Sequence, residues 1–522
     1  PRRGGRQSPG FVALAKMKKR VLLVLTHKYS VLQLGSRMGV YWVRGRCCGT
    51  PNRFLTGRLM DTTTLHPPAQ WAQLEFGLAS LGDRRRTQRL VNIATHLAAS
   101  PGGTLPQAFP HWAELKAAYR FFGQRGVGFE RILAPHLART RAACRQPGEY
   151  LIIEDTTLLD YSGRPATEDL GVIGDGGGRG FELHSALAVR VEAWTLDQRP
   201  EGTVTGLFGQ ECRTPRPAPQ GETRGERLHR PRKSQTWAAP FKSAGRPPAG
   251  SQWIYVADRE SDFYEPMQRC QQHGVDFIIR SYQSRRLAEA AGSLQAALAC
   301  APVMGQSTVA VRARGGQPAR TAIVELRRVR VALDGPWRPG GWQPPLAQIN
   351  LVEVREVSAP AGVTEPLHWK LLTSLPCETL AQVLRVVGRY AARWWIEEYH
   401  KALKSGAGVE ASQLARADRL ECLIAVLAVV AVRLLSTKML ARAKPETFEA
   451  AASFGPEMLA LLEQKLGLPK DGWNNRNVLI ATARLGGFLA RKQDGLPGWQ
   501  TIWRGWQRLM WMGEGLATLH HK

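Results

Sequence analysis

Tyr390, Arg393, Glu397 and Lys404 stand at spacings of three, four and seven residues in the run Tyr390-Ala391-Ala392-Arg393-Trp394-Trp395-Ile396-Glu397-Glu398-Tyr399-His400-Lys401-Ala402-Leu403-Lys404. The segment from Glu378 lacks Pro, has one Gly at Gly388, and stops at Ser405-Gly406, so it reads as a helix. At about 100° per residue, Arg393, Glu397 and Lys404 fall within roughly 60° of Tyr390. One face then carries a phenol, a guanidinium, a carboxylate and an ammonium, walled by Trp394 and Trp395. One carboxylate among fixed cations suits a metal ion beside a phosphate. The competing reading is a solvated salt-bridge face, because Glu397 and Lys401 are also an i,i+4 pair. Two other acids close apolar runs. Tyr150-Leu151-Ile152-Ile153 leads into Glu154-Asp155, and Trp253-Ile254-Tyr255-Val256-Ala257 into Asp258. Both runs read as buried strands, each delivering an acid near its end. Phosphodiester cleavage needs an activated oxygen nucleophile and a stabilised leaving oxygen. Two divalent ions about 3.5–4 Å apart supply both, and hard cations select carboxylate oxygens. Asp155, Asp258 and Glu397 can form such a cage, although spacing alone is weak evidence in so long a chain. No Gly-x-x-x-x-Gly-Lys loop, His-Glu-x-x-His or Gly-x-Ser-x-Gly competes for the chemistry.

The elements that must position these residues follow from the patterning. Asp83 caps a helix whose buried stripe is Leu90, Ile93 and Leu97. Arg84, Arg85 and Arg86 open it. Cations there oppose the helix dipole, so a phosphate backbone is one reason for them and a solvated basic turn the other. A second helix runs from about His111 to Phe122, and residues 60–125 form a helical DNA-binding module. Further strands are expected at Phe181–Val191 and Thr203–Phe208, with a Gly-rich turn at 176–178. Residues 212–250 read as a long basic loop. Ser261 can cap a helix to about His273, and Asp276-Phe277-Ile278-Ile279-Arg280 is the next strand, which makes a βαβ unit. The β-type runs of 307–357 form an antiparallel insertion, and Leu371–Ser374 returns to the core. After about 440 the chain is helical. Trp499, Trp503 and Trp506 there form one stripe that either pairs two protomers or packs back on the core.

The motifs Gly82-Asp83-x-Arg85-Arg86-Thr87, Ile153-Glu154-Asp155-Thr156-Thr157, Ala257-Asp258-Arg259-Glu260-Ser261-Asp262 and Tyr390-x2-Arg393-x3-Glu397-x6-Lys404 together resemble the cut-and-paste DDE transposases of the insertion-sequence-four family, the group containing the transposon-five enzyme. The resemblance runs from about Met60 to about Met512 and includes the tail Ala483-Arg484-Leu485-Gly486-Gly487-Phe488. It implies an α/β fold: a ribonuclease-H-like catalytic core at 126–440 with an inserted antiparallel β-region at about 285–365, flanked by N-terminal and C-terminal helical domains, the latter a dimerisation domain at 441–522. It implies Asp155, Asp258 and Glu397 as the metal-binding triad for two Mg²⁺ or Mn²⁺ ions. Tyr390, Arg393, Lys404 and Arg280 would hold phosphates, and Trp369 would help accommodate a flipped base at the DNA hairpin. The partners implied are double-stranded DNA, at terminal repeats and target, and a second protomer in a synaptic complex. Trp395 stands where the family often has a basic residue, and the loop 212–250 is only loosely alike.

Composition bounds the alternatives. The chain has 522 residues, 43% hydrophobic, and a formal net charge of +28, which points to a polyanionic partner. Residues 1–59 hold thirteen Lys or Arg and no acid. They read as upstream sequence translated in frame, or a disordered basic leader, with a transit peptide as the alternative. Without them the balance stays basic. The eight cysteines include no C-x-x-C, so neither a zinc site nor a disulfide framework is indicated, and a reducing bacterial cytoplasm with the protein on the nucleoid fits. The longest apolar run, Cys422–Val432, reads as a buried helix too short to span a bilayer, so no membrane is expected. Another ribonuclease-H-like nuclease or resolvase, an inactive DNA-binding derivative and a secreted basic protein are the alternative functions. The signature helix, the intact triad and the missing signal peptide argue against them in turn.

Overall fold

A computed structural model describes residues 66–175, 177–216, 219–229, 235–288, 292–313, 317–338, 340–443, 445–448 and 454–520. Ahead of these it describes three short strands, Leu23–Thr26, Tyr29–Leu32 and Trp42–Val43, which pair antiparallel in that order. The rest of the expected leader lies outside the described residues. Residues 59–522 form a separate compact unit.

That unit is built on one ten-stranded mixed sheet. Its strands run in the order Val303–Val311, Arg320–Leu333, Leu346–Glu356, His368–Thr373, Asp276–Arg280, Ser251–Ala257, Gly148–Asp160, Gly178–Trp194 and Gly171–Ile173, with Pro200–Arg213 also paired to Gly178–Trp194. Gly148–Asp160, Ser251–Ala257 and Asp276–Arg280 are mutually parallel, and the other pairings are antiparallel. A hairpin strand on one side of a central strand and two parallel strands on the other is the ribonuclease-H-like arrangement. The insertion does not form a layer of its own. Three of its strands continue the catalytic sheet through His368–Thr373, and Trp337–Arg338 and Gly341–Trp342 pair as a separate small hairpin.

Both faces of the parallel core are apolar, because side chains alternate along each strand. Leu151, Ile153, Ile254 and Val256 pack in one cluster, and Tyr150, Ile152, Trp253 and Tyr255 in the other, all almost fully buried. Each such side chain stabilises the fold by about 1.5–3 kcal/mol. The first face is covered by the N-terminal helices, by the signature segment and by Ala417–Ala443. That last helix is long and apolar enough to cross a bilayer, which the run Cys422–Val432 alone is not. Yet 89% of its most apolar stretch is buried within the protein, so it is the central core helix. The N-terminal helices join the sheet through buried polar contacts. Glu75 accepts from His136 at 2.7 Å, and His136 accepts from the Leu207 amide at 2.9 Å. Asp83 caps Arg84–Ala99, accepting from the Arg85 amide at 2.8 Å.

Three expectations change. Ser261 is not a helix cap. Asp258 caps a short 3₁₀ turn, Arg259–Ser261, and the helix starts at Tyr264, while Ser261 is buried and hydrogen-bonds the Tyr255 hydroxyl at 2.7 Å. The run 378–404 is not one continuous helix. It comprises Leu380–Ala391, a tightened turn, Trp394–Lys401 and a π turn at Ala402–Gly406. In the turn, the amides of Arg393, Trp395 and Ile396 bond back only three residues. Finally, Trp499 and Trp503 stack with ring centroids 5.8 Å apart and are 8% and 6% exposed. Trp506 packs on Phe454. Of the two readings, packing on this chain's own core therefore describes Trp499 and Trp503, with Trp506 half-buried against it.

The C-terminal helices Asn475–Leu485 and Trp499–His520 touch backbone to backbone. A Cβ on Gly505 would lie 1.6 Å from the Thr482 carbonyl oxygen, and one on Gly486 would lie 1.8 Å from that of Thr501. Gly505→Ala must force the helices apart at a cost of about 1–3 kcal/mol. A lowered thermal midpoint by circular dichroism is expected, and an unchanged one contradicts the packing.

Candidate active site

Strand register brings the first two acids together. Glu154 pairs with Ala257 across the parallel strands, so the next residues, Asp155 and Asp258, are neighbours on strands about 4.8 Å apart. Asp155 shares the parity of Ile153, and Asp258 that of Val256. Both carboxylates therefore project to the face under the signature segment. Asp155 lies inside its strand, which runs on to Asp160. It stands where the parallel partner ends, not at the strand's own end.

Glu397 reaches the pair through Arg393. This guanidinium donates to Asp155 Oδ2 at 3.2 Å and to Glu397 Oε1 at 2.5 Å. The partner of Glu397 is thus Arg393 and not Lys401, which pairs with Glu398 at 3.5 Å. The tightened turn at 392–393 swings Arg393 back across the carboxylates. Burial pushes the Asp155 carboxyl up to about 6, and Asp258 and Glu397 add to the rise; Arg393 and the Thr156 amide oppose it. Burial also raises the Tyr390 hydroxyl, opposed by Arg393 and Arg280. Tyr390 is buried and hydrogen-bonds Arg280, and its ring meets Trp369 edge to face at 4.9 Å.

Asp155, Asp258, Glu397, Tyr390, Arg393, Arg280 and Trp369 therefore gather at one place. Lys404 does not join them directly. The π turn rotates it away, and its ammonium pairs with Glu410 at 3.3 Å. Arg84 and Arg85 are exposed on the N-terminal helices, whereas Arg86 is held by the carbonyls of Leu81 and Arg125 at 3.1 and 2.9 Å. Trp395, 4% exposed, is core. Trp394 alone borders the site, its ring between Arg312 at 3.8 Å and Arg442 at 5.4 Å.

Sequence reasoning missed three groups. Arg312 is one. Another is buried Glu154, whose carboxylate accepts from the Ala238 amide at 2.7 Å and lies 3.3 Å from His184, anchoring the end of the basic loop beneath the triad. The third is Glu398, 6% exposed, which meets Lys438 at 2.6 Å and the Trp499 indole N–H at 2.9 Å. Its signal was one residue from Glu397: successive helical residues point about 100° apart, so a second acid there points off the face that carries Glu397.

Among the described residues, no three His, Cys, Asp or Glu side chains are already arranged around a metal ion. The donor set nevertheless fits a divalent cation. All three groups are hard carboxylates, and the Arg393 guanidinium already stands between two of them as a cation. The Asp155 carboxyl is raised mainly by burial, with Asp258 and Glu397 adding to it, so a cation beside it would favour its charged form.

Models of three protein families match the chain. Transposase DNA-binding matches residues 68–127, Transposase DDE domain residues 251–433, and Transposase Tn5 dimerisation domain residues 429–520. Asp258 and Glu397 lie inside the DDE match. Asp155 precedes it and joins through the sheet.

A carboxyl whose folded value lies above its unfolded one stabilises the fold fully only below the unfolded value, near pH 4. That contribution is lost as pH rises through about 6. Asp155→Asn removes the penalty. In metal-free protein it is expected to raise stability at pH 8 by about 2–3 kcal/mol and to change little at pH 4. Denaturant unfolding at the two pH values checks this; destabilisation at pH 8 contradicts it.

Proposed function

We propose that this chain is a DNA-binding, dimer-forming transposase of the insertion-sequence-four family, and that it cuts and joins DNA at transposon ends by a cut-and-paste reaction in which Asp155, Asp258 and Glu397 hold two divalent ions, Mg²⁺ or Mn²⁺. The observation that carries the reading is the convergence of three hard carboxylates from two neighbouring strands and one packed helix, with the Arg393 guanidinium bonded to two of them. When bound, such ions activate the attacking oxygen and stabilise the leaving one. The chain's own residues do the rest. Asp155 and Asp258 are fixed by strand register and offer their oxygens in one direction. Arg393 leaves the carboxylates and turns to a phosphate, a bidentate exchange its planar fork suits. Arg280 and the Tyr390 hydroxyl hold the neighbouring phosphate, and Trp369 offers a half-buried ring beside them to an unpaired base. Lys404 contributes once DNA competes with Glu410.

Residues 60–125 are assigned to end binding, 126–440 to catalysis and 441–522 to dimerisation, and the synaptic complex pairs two protomers on two ends. Each protomer holds one end and cuts the other, so that an unpaired enzyme cannot nick a single end. The reaction takes place on bacterial nucleoid DNA.

Asp155→Ala, Asp258→Ala or Glu397→Ala should each abolish strand cleavage while gel mobility still shows end binding, which rests on the basic module and the phosphate clamps. Cleavage near the normal rate by any of the three in Mg²⁺ would falsify the assignment. Arg84→Ala and Arg85→Ala are expected to weaken end binding, each reducing the slope of log affinity against log salt by about 1. An unchanged slope assigns these arginines to a solvated turn.

A further inference from the structure

Glu397 and Glu398 are adjacent on the helix Trp394–Lys401 and point apart. The Glu397 side chain is 47% exposed, towards the triad. The Glu398 carboxylate is enclosed by Lys438, Trp499, Lys401 and Arg312 at 2.6, 2.9, 3.5 and 3.8 Å. Lys438 and Trp499 both belong to the stretch matched as a dimerisation domain. Arg312 follows the inserted strand Val303–Val311 and also stacks on Trp394. Lys438 lies 4.3 Å over the Trp499 ring. The last helix grips the signature segment a second time at Gly406, where a Cβ would sit 2.0 Å from the Trp503 ring. The helix bearing Glu397 is only eight residues long and enters through a tightened turn. So short a helix has little intrinsic hold on its own rotation, and a buried carboxylate on its inner face sets that rotation.

We propose that Glu398 is a positioning residue for the metal site. By binding Lys438 and Trp499, it fixes the rotation of the helix that carries Glu397 and makes the placement of that carboxylate depend on the C-terminal segment. The inference rests on Glu397 being a metal ligand. Groups that orient ligands typically change metal affinity by about 10–100-fold when replaced. Glu398 acts through the backbone of its neighbour, so the lower end of that range applies.

The test uses the full chain bound to a transposon-end duplex. Mn²⁺ affinity is read by isothermal titration calorimetry, hydrogen exchange over residues 394–401 by mass spectrometry, and end binding by gel mobility. Glu398→Gln is expected to weaken Mn²⁺ binding about tenfold and to speed exchange in that helix, with end binding retained. Trp499→Phe keeps the aromatic stack and removes only the N–H donor, and should shift both readouts in the same direction by less. Glu398→Asp should restore part of the loss. Unchanged Mn²⁺ affinity in Glu398→Gln overturns the proposal. If that variant does not fold, unchanged affinity in Trp499→Phe overturns it instead. Glu397→Ala, run in parallel, separates the two levels. Intact Mn²⁺ binding in it defeats the metal-ligand reading itself, whereas lost binding there with unchanged Glu398→Gln defeats only the positioning role.

Discussion

Three carboxylates in one place repel one another, and the structure keeps them together. Strand register leaves Asp155 and Asp258 no freedom to separate, since Glu154 opposite Ala257 sets them side by side. The signature helix adds Glu397. The Arg393 guanidinium offsets the charge, while burial, with smaller help from Asp258 and Glu397, pushes the Asp155 carboxyl up to about 6. A protein assembled for stability alone would place apolar groups here. Clustered, partly buried acids of this kind are characteristic of functional sites.

The rest of the molecule holds the helix that carries Glu397 in position. The sheet carries buried apolar side chains on both faces. The helix with Glu397 is short and bounded by irregular turns, so its position comes from packing. Trp395 and Ile396 enter the core, Trp394 sits between two arginines, and Glu398 is bound to Lys438 of the core helix and to Trp499 of the last helix. The N-terminal helices, the inserted strands and the C-terminal helices all touch this segment or the core helix beneath it. DNA-binding, catalytic and dimerising segments therefore share one core.

Much of this was legible in the sequence where one local signal had one meaning. Unbroken apolar runs at 150–153 and 253–257 marked strands buried on both faces, and each was followed by an acid. Asp83 before three arginines marked a helix start. The failures came where tertiary contacts decide. The turn at 392–393 lies in a run with helical residues throughout, and nothing local announces bonds to the third residue back. Lys404 was placed by ideal helical phase, which one tightened turn and one π turn undo. The tryptophans at 499, 503 and 506 have correct helical spacing. Spacing cannot say whether a stripe faces a partner or its own chain, and the partner of Trp499, Glu398, lies 101 residues away. The apolar run at 422–432 was judged as a run, when the helix around it is far longer and is covered by the N-terminal helices and the sheet.

The central claim is that the three carboxylates form a cation cage from which Arg393 withdraws when DNA is bound. The most direct measurement is anomalous scattering from a crystal of the full chain with a cleaved transposon end, grown in Mn²⁺. The account predicts two peaks about 3.5–4 Å apart among Asp155, Asp258 and Glu397, with the Arg393 guanidinium on a phosphate. Arg393 still bridging Asp155 and Glu397, with no peak between the carboxylates, would contradict it.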